Sequence, residues 1–214
     1  MKKLFILILS IAGLTQVAFA QDEDDVRNKV AFGLKVGGNY SNVYDSEGED
    51  FSADGKIGLA AGGFLSIPIG PIIGIQPEVL FSQKGFKGTG RISGANYDLT
   101  RTSNYLDVPI FLAIKPAPAF TLLAGPQFSY LMSQHDAFSH PNSNWTLVQD
   151  KEFDNDDIRK NMLCLVGGFD INIDHAVLSG RVGWDVQSNR ADGSSSTPRY
   201  KNVWVQATVG FRLY

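Results

Sequence analysis

Two histidines and a carboxylate, His135, Asp136 and His140, lie within six residues of one another and carry the donor types of a zinc site. No regular element is expected to fix their geometry, so they read as polar loop residues. Further on, Asp150, Glu152, Asp154, Asp156 and Asp157 supply the hard oxygen donors that calcium takes. Their spacing departs from the calcium-loop pattern: Asn155 stands where the sharp turn needs glycine, and Asn161 where a bidentate glutamate belongs. A Ser-His-Asp set can be assembled only on paper, because nothing places a serine on a strained strand-to-helix turn. Cys164 is the one cysteine, which excludes an intrachain disulfide, and it reads as inert packing. A basic group, Lys84, Lys87, Arg91 and Arg101, together with Lys56, has the chemistry to meet lipopolysaccharide phosphates through charge-assisted bonds, or to line an ordinary solvated loop. No catalytic residue, metal ligand or cofactor is expected.

A different set of charges is more informative, because it recurs with a period of two. Lys35, Lys115, Arg181 and Arg212 alternate with apolar neighbours, and so do Glu78, Asp107, Asp170 and Asp185. Four bases against four acids on one face of a set of strands is the pattern of a buried surface, where charges must be paired. They are expected to form a lumen ion-pair network.

The elements that would carry these residues are eight alternating segments. The last one puts Val203, Val205, Ala207, Val209, Phe211 and Leu213 on one face, and Trp204, Gln206, Thr208, Gly210 and Arg212 on the other. No Asp, Glu, Lys or Arg falls on the apolar face of any segment. Leu80, Phe111, Leu123 and Val166 break the alternation by falling on the polar face. That face is rich in glycine and other small residues, as a narrow lumen requires and a solvated surface does not. Pro77, Pro109 and Pro126 sit inside segments, where a missing N–H interrupts a ladder.

The gaps between segments alternate in length. The short ones are Pro68-Ile69-Gly70-Pro71, Pro116-Ala117-Pro118 and Asp174-His175. The long ones span residues 41–56, 85–102, 135–160 and 188–202. An outer-membrane barrel has short periplasmic turns and long extracellular loops. The expected fold is therefore all-β: an eight-stranded antiparallel up-and-down transmembrane β-barrel. A barrel of eight strands is filled by its own side chains, so the loops rather than a pore are expected to carry function.

The start of the chain agrees. Lys2 and Lys3 precede a mostly apolar stretch over residues 4–14, and Ala18-Phe19-Ala20 fits the small-x-small cleavage pattern, so Gln21 is expected to begin the mature chain after Sec-type export. Residues 1–20 then form a signal peptide, 21–29 a periplasmic tail and 30–214 the barrel. Loss of Lys2 and Lys3 takes the net charge from −3 to −5, a balance that does not recruit nucleic acid. The tail opens with the acidic run Asp22-Glu23-Asp24-Asp25.

Several segments resemble the PorT-like outer-membrane β-barrel family. They are Gly33-Leu-Lys-Val-Gly-Gly-Asn-Tyr-Ser-Asn42, Gln76-Pro-Glu-Val-Leu-Phe-Ser-Gln-Lys-Gly85, Tyr105-Leu-Asp-Val-Pro-Ile-Phe-Leu112 and Ala124-Gly-Pro-Gln-Phe-Ser-Tyr-Leu131. The resemblance implies a Gram-negative outer-membrane location, no catalysis, and a tie to protein secretion. The terminal aromatic Tyr214 departs from the usual outer-membrane ending, since it is out of register with Phe211 and Leu213. Expected partners are outer-membrane lipid and lipopolysaccharide, the barrel-assembly machinery during biogenesis, and a protein in a secretion complex. The function expected is a structural, adhesion or secretion-accessory role. The alternative is a soluble exported barrel that binds an apolar ligand, as lipocalins do, and it requires the apolar faces to point inward.

Overall fold

The computed structural model describes residue 27 and residues 29–45, 53–92, 95–139, 146–149, 158–189 and 200–213. The expected signal peptide and its cleavage residues Ala18, Ala20 and Gln21 lie outside the described residues, as do the acidic run at 22–25, His140, the acidic set at 150–157 and Tyr214.

Nine strands are described: β1 (Ala31–Asp45), β2 (Ala53–Pro68), β3 (Ile73–Ile92), β4 (Ala95–Ala117), β5 (Phe120–Ser139), β6 (Thr146–Gln149), β7 (Asn161–Ile173), β8 (Ala176–Asp185) and β9 (Tyr200–Arg212). Each neighbour pair is antiparallel, and β1 pairs with β9, which closes the sheet. Eight strands make the wall. The four-residue β6 adds only to the far end of β5. Closure leaves no row of unpaired backbone groups in the wall, the one arrangement that lets strands cross a bilayer.

Alternation sorts the side chains cleanly. The outward set is apolar, with Leu34, Val79, Ile110, Phe128, Phe169, Val182 and Val209 all exposed. Tyr40, Tyr130 and Trp184 lie at one level of this belt, and Phe32 and Phe211 lie near the other end. Aromatic girdles at two levels mark the interfaces of a membrane barrel. The inward set is polar: Lys35, Glu78, Asp107, Lys115, Asp170, Arg181, Asp185 and Arg212 are all buried. Apolar residues inside and a solvated outside, as an apolar-ligand carrier needs, is the reverse of what is found. The four breaks in the alternation, Leu80, Phe111, Leu123 and Val166, are buried inside the barrel, and three of them join a cluster with Tyr105, Leu131, Cys164 and Trp204.

Small residues make that interior possible. The Trp204 ring lies flat against Gly183, where a Cβ would stand 2.3 Å from it. Gly168 likewise leaves room for the Arg181 stem, whose Cδ would be 2.8 Å from a Cβ there.

The three proline sites neighbour one another across β3, β4 and β5. Ladder pairs are missing beside Pro77 and Pro109, yet the register on either side is unchanged, so these are breaks rather than bulges. True register shifts occur elsewhere, between Gly55 and Ala60 on β2 and near Asn104 and Tyr105 opposite β5.

The connections differ from the expected loops. At one end the strands are joined by turns at 69–72, 118–119 and 174–175, with Asp174 in the left-handed region (φ 48°) that Asp tolerates. At the other end much of the expected loop at residues 85–102 is strand: β3 and β4 stay paired out to Ile92 and Ala95. A bilayer needs about 9–11 residues per tilted strand, whereas β3, β4 and β5 have 20, 23 and 20. The surplus extends the wall past the apolar belt.

Candidate functional site

The interior is a stack of polar clusters, taken in order from the short-turn end outward. At the mouth, Arg212 Nη2 donates to Asn172 Oδ1 at 2.6 Å, and Lys115 Nζ to Ser66 Oγ at 3.0 Å. Above them Arg181 is held between two acids, with Nη2 2.7 Å from Asp170 Oδ1 and 3.2 Å from Glu78 Oε1. Lys35 Nζ reaches Glu78 Oε2 at 2.7 Å. Gln76 Nε2 donates to both acids at 3.0 Å. Lys35, Gln76, Glu78, Asp170 and Arg181 come from period-two positions on β1, β3, β7 and β8, so opposite walls of the barrel meet at this level.

The next level is built around Lys84. Its Nζ lies 2.9 Å from Asp107 Oδ2, 3.7 Å from the centroid of the Trp204 ring and 4.9 Å from that of Tyr105. Asp185 here accepts from the Asn202 backbone N–H at 3.0 Å, from the Asn202 side chain, and from Cys164 Sγ at 3.1 Å. Cys164 Sγ also lies 3.4 Å from Ser129 Oγ and is fully buried.

Beyond the belt, Arg101 makes a two-pronged contact with Asp136, Nε to Oδ1 at 2.8 Å and Nη2 to Oδ2 at 2.6 Å. Its Nη1 donates to the Tyr200 hydroxyl at 3.0 Å. Tyr200 packs edge-on against Phe86, with Val43 beside them. The outer rim is tied down by backbone bonds from Arg159 to Asn189 at 2.9 Å and from Asn189 to Tyr200 at 3.0 Å.

Of the eight charges expected to form one lumen network, Lys35, Glu78, Asp170 and Arg181 are brought together. Asp107 goes to Lys84. Asp185 is held by Asn202 and Cys164, Arg212 by Asn172, and Lys115 by Ser66. Three partners are additions to the expected set: Lys84, Arg101 and Asp136. Lys84 and Arg101 are corrections to the lipopolysaccharide-facing group. Both point inward and are buried on carboxylates; of the others, Lys87 is exposed at the outer end, Lys56 is half-buried, and the Arg91 side chain lies outside those described. Of the zinc triplet, His140 lies outside the described residues. His135 and Asp136 are consecutive on β5 rather than in a loop; the histidine faces out and the aspartate faces Arg101. Among the described residues no group of three or more His, Cys, Asp or Glu is arranged to hold a metal.

What the arrangement does chemically is fill space. Paired charges, Trp204, Phe111, Leu131 and Met162 occupy the interior at successive levels, in the manner of a narrow barrel closed by its own side chains.

The outer membrane protein beta-barrel domain family matches residues 19–187. Among solved structures, the attachment invasion locus protein Ail of Yersinia pestis is 12% identical, with 86% of this chain and 99% of that chain covered and a TM-score of 0.49. Neisserial surface protein A is 8% identical, covering 86% and 99%, with a TM-score of 0.46. A major outer membrane protein of Thermus thermophilus is 10% identical, covering 87% and 100%, at 0.49. No curated protein matches.

Proposed function

The chain belongs to the outer membrane protein beta-barrel domain family, and from that premise we propose that it is a closed membrane anchor. It neither conducts nor catalyses. Its strand-built far end stands outside the cell and meets a protein partner, as a secretion accessory or in adhesion. The QPE…SQKG and YLDVP segments, with their likeness to PorT-like barrels, favour the secretion role. One observation carries the reading of a sealed anchor: the interior is occupied by buried, mutually bonded side chains from the mouth to the outer end. The same filling supports function at the rim, because it leaves no passage for a solute.

Two measurements test this reading. Purified protein in planar bilayers should show no steady current. Affinity capture from outer membranes should retain a partner that is lost when residues 89–98 are replaced by an Asn-Gly turn between the paired Gly88 and Leu99, a change that shortens the β3–β4 hairpin above the belt and keeps the register of the wall. A large, stable single-channel conductance, or capture indifferent to the trimmed hairpin, would overturn it.

A further inference from the structure

Three arginines are buried among the described residues, and two of them sit on carboxylates: Arg101 on Asp136, and Arg181 on Asp170 and Glu78. Arg212, in the last β1–β9 pair at the short-turn end, is the exception. It is only 9% exposed. Its Nη2 donates to Asn172 Oδ1, yet Nε and Nη1 find no acceptor among the described residues. A buried guanidinium with donors left open is costly unless an acceptor completes it. Arg212 lines a pocket in the barrel mouth, part of it open to solvent. The one carboxylate on the described wall of that pocket, Asp170, is committed: Oδ1 to Arg181 and Oδ2 to Gln76. The other cations on the wall, Arg27 and Lys115, have partners of their own.

Two hydroxyls add to the donors. Ser66 Oγ accepts from Lys115 Nζ at 3.0 Å, and Thr121 Oγ1 from Asn172 Nδ2 at 3.3 Å. A hydroxyl that has accepted a bond still has its proton to give. Arg212, Ser66 and Thr121 stand on β9, β2 and β5, so donors reach the pocket from three parts of the wall. Such a set suits water poorly, because the two protons of water need acceptors of their own. An oxyanion brings acceptors only. We propose that the mouth binds a phosphate oxyanion, seated on Arg212 and completed by the Ser66 and Thr121 hydroxyls. A tetrahedral group points its oxygens several ways, as donors from three strands require and a planar carboxylate does not provide. Bonds from a guanidinium to phosphate are charge-assisted and so among the stronger ones. Two sources carry that chemistry: free inorganic phosphate, and the headgroup of a phospholipid beside the mouth. The site lies at the opposite end of the barrel from the rim that meets a partner, and stands independently of it.

The test is calorimetric titration of the purified, folded protein in maltoside micelles at constant ionic strength. One arm uses inorganic phosphate and the other dihexanoyl phosphatidylglycerol. A gel-mobility shift on boiling confirms folding of every variant. At least one of the two probes should bind, at one per barrel. Arg212→Gln should weaken that binding about tenfold or more, the loss of a hydrogen bond to a charged group. Thr121→Val, which keeps the shape of the side chain, should weaken it about fivefold, and it carries the test if Arg212→Gln does not fold. Lys87→Glu, at the outer end, should leave binding unchanged. Saturation by inorganic phosphate assigns the site to the free ion; saturation by phosphatidylglycerol alone assigns it to the lipid headgroup. No binding in either arm overturns the proposal. Binding that is indifferent to the Arg212 and Thr121 substitutions overturns it too, as does binding weakened equally by Lys87→Glu, the mark of diffuse charge attraction.

Discussion

Arg181 joins two acids that would otherwise face each other across the barrel. Glu78 keeps Lys35 if Arg181 is lost, but Asp170 loses the one salt bridge it makes among the described residues and is left with neutral donors such as the Gln76 amide. Arg181→Met should therefore strand a buried carboxylate, at a cost of about 3–5 kcal/mol, read from denaturant unfolding in detergent micelles. Glu78→Gln in the same background should not add a full second penalty, because the two residues share one cluster. The sequence showed Arg181, Asp170, Glu78 and Lys35 through their parity in alternating segments. It hid Asp136 for a physical reason: a register shift beside Met132 moves the inward positions of β5 from odd numbers, such as Ser129 and Leu131, to even ones, Gln134 and Asp136. Lys84 and Arg101 did share parity with Ser82 and Asp107. Arg101 falls in the expected loop at 85–102 and Lys84 just before it because, past the belt, the outer face meets water, and the contrast between apolar and polar neighbours that marks a strand fades.

At the scale of elements, the outward faces behave as lipid-exposed surface only over part of each strand. Ile110 and Phe169 lie well inside that part, both exposed among apolar neighbours. Arg in place of either should cost about 2–4 kcal/mol in a folded barrel, if they sit near the bilayer midplane. Lys87→Glu, on the exposed outer end of β3, should stay within roughly 0.5 kcal/mol of the parent. Equal effects at the two places would mean that the belt is misplaced. The extended β3–β4 hairpin also fixes a topology that labelling can read. With Cys164→Ser as background, cysteines at Asp54 and Lys87 should react with an impermeant maleimide on intact cells, and one at His175, in the exposed short turn, should not. The eight-strand wall and its turns were legible because the crossing segments keep a period-two contrast whose outward face carries no charge, the four inward apolar residues notwithstanding. The extra reach of β3, β4 and β5 was not, since strand pairing there is held by hydrogen bonds and by inward contacts such as Arg101 with Asp136 and Tyr200.

The whole molecule is held by a single seam between its first and last strands. β1 pairs with β9 over thirteen residues, from Gly33 with Arg212 to Asp45 with Tyr200. Those partners are far apart in sequence, so the seam can form only after the other strands are arranged, and topologies of this kind fold slowly. Contacts across the lumen depend on the same closure. Lys84 on β3 reaches Trp204 on β9, three strands away around the wall.

That contact gives the protein two optical probes on opposite sides of one wall. Trp184 faces outward, and Trp204, paired with the adjacent Gly183, faces inward under Lys84. With Trp145→Phe in place, each can be followed alone by replacing the other with Phe. Emission from Trp184 should be quenched by brominated lipid chains as soon as the strands enter the bilayer. Emission from Trp204 should ignore that quencher and change only when the cylinder shuts and the ammonium settles over the indole. A lag between the two signals in refolding would time insertion and closure separately; simultaneous signals would make them one event.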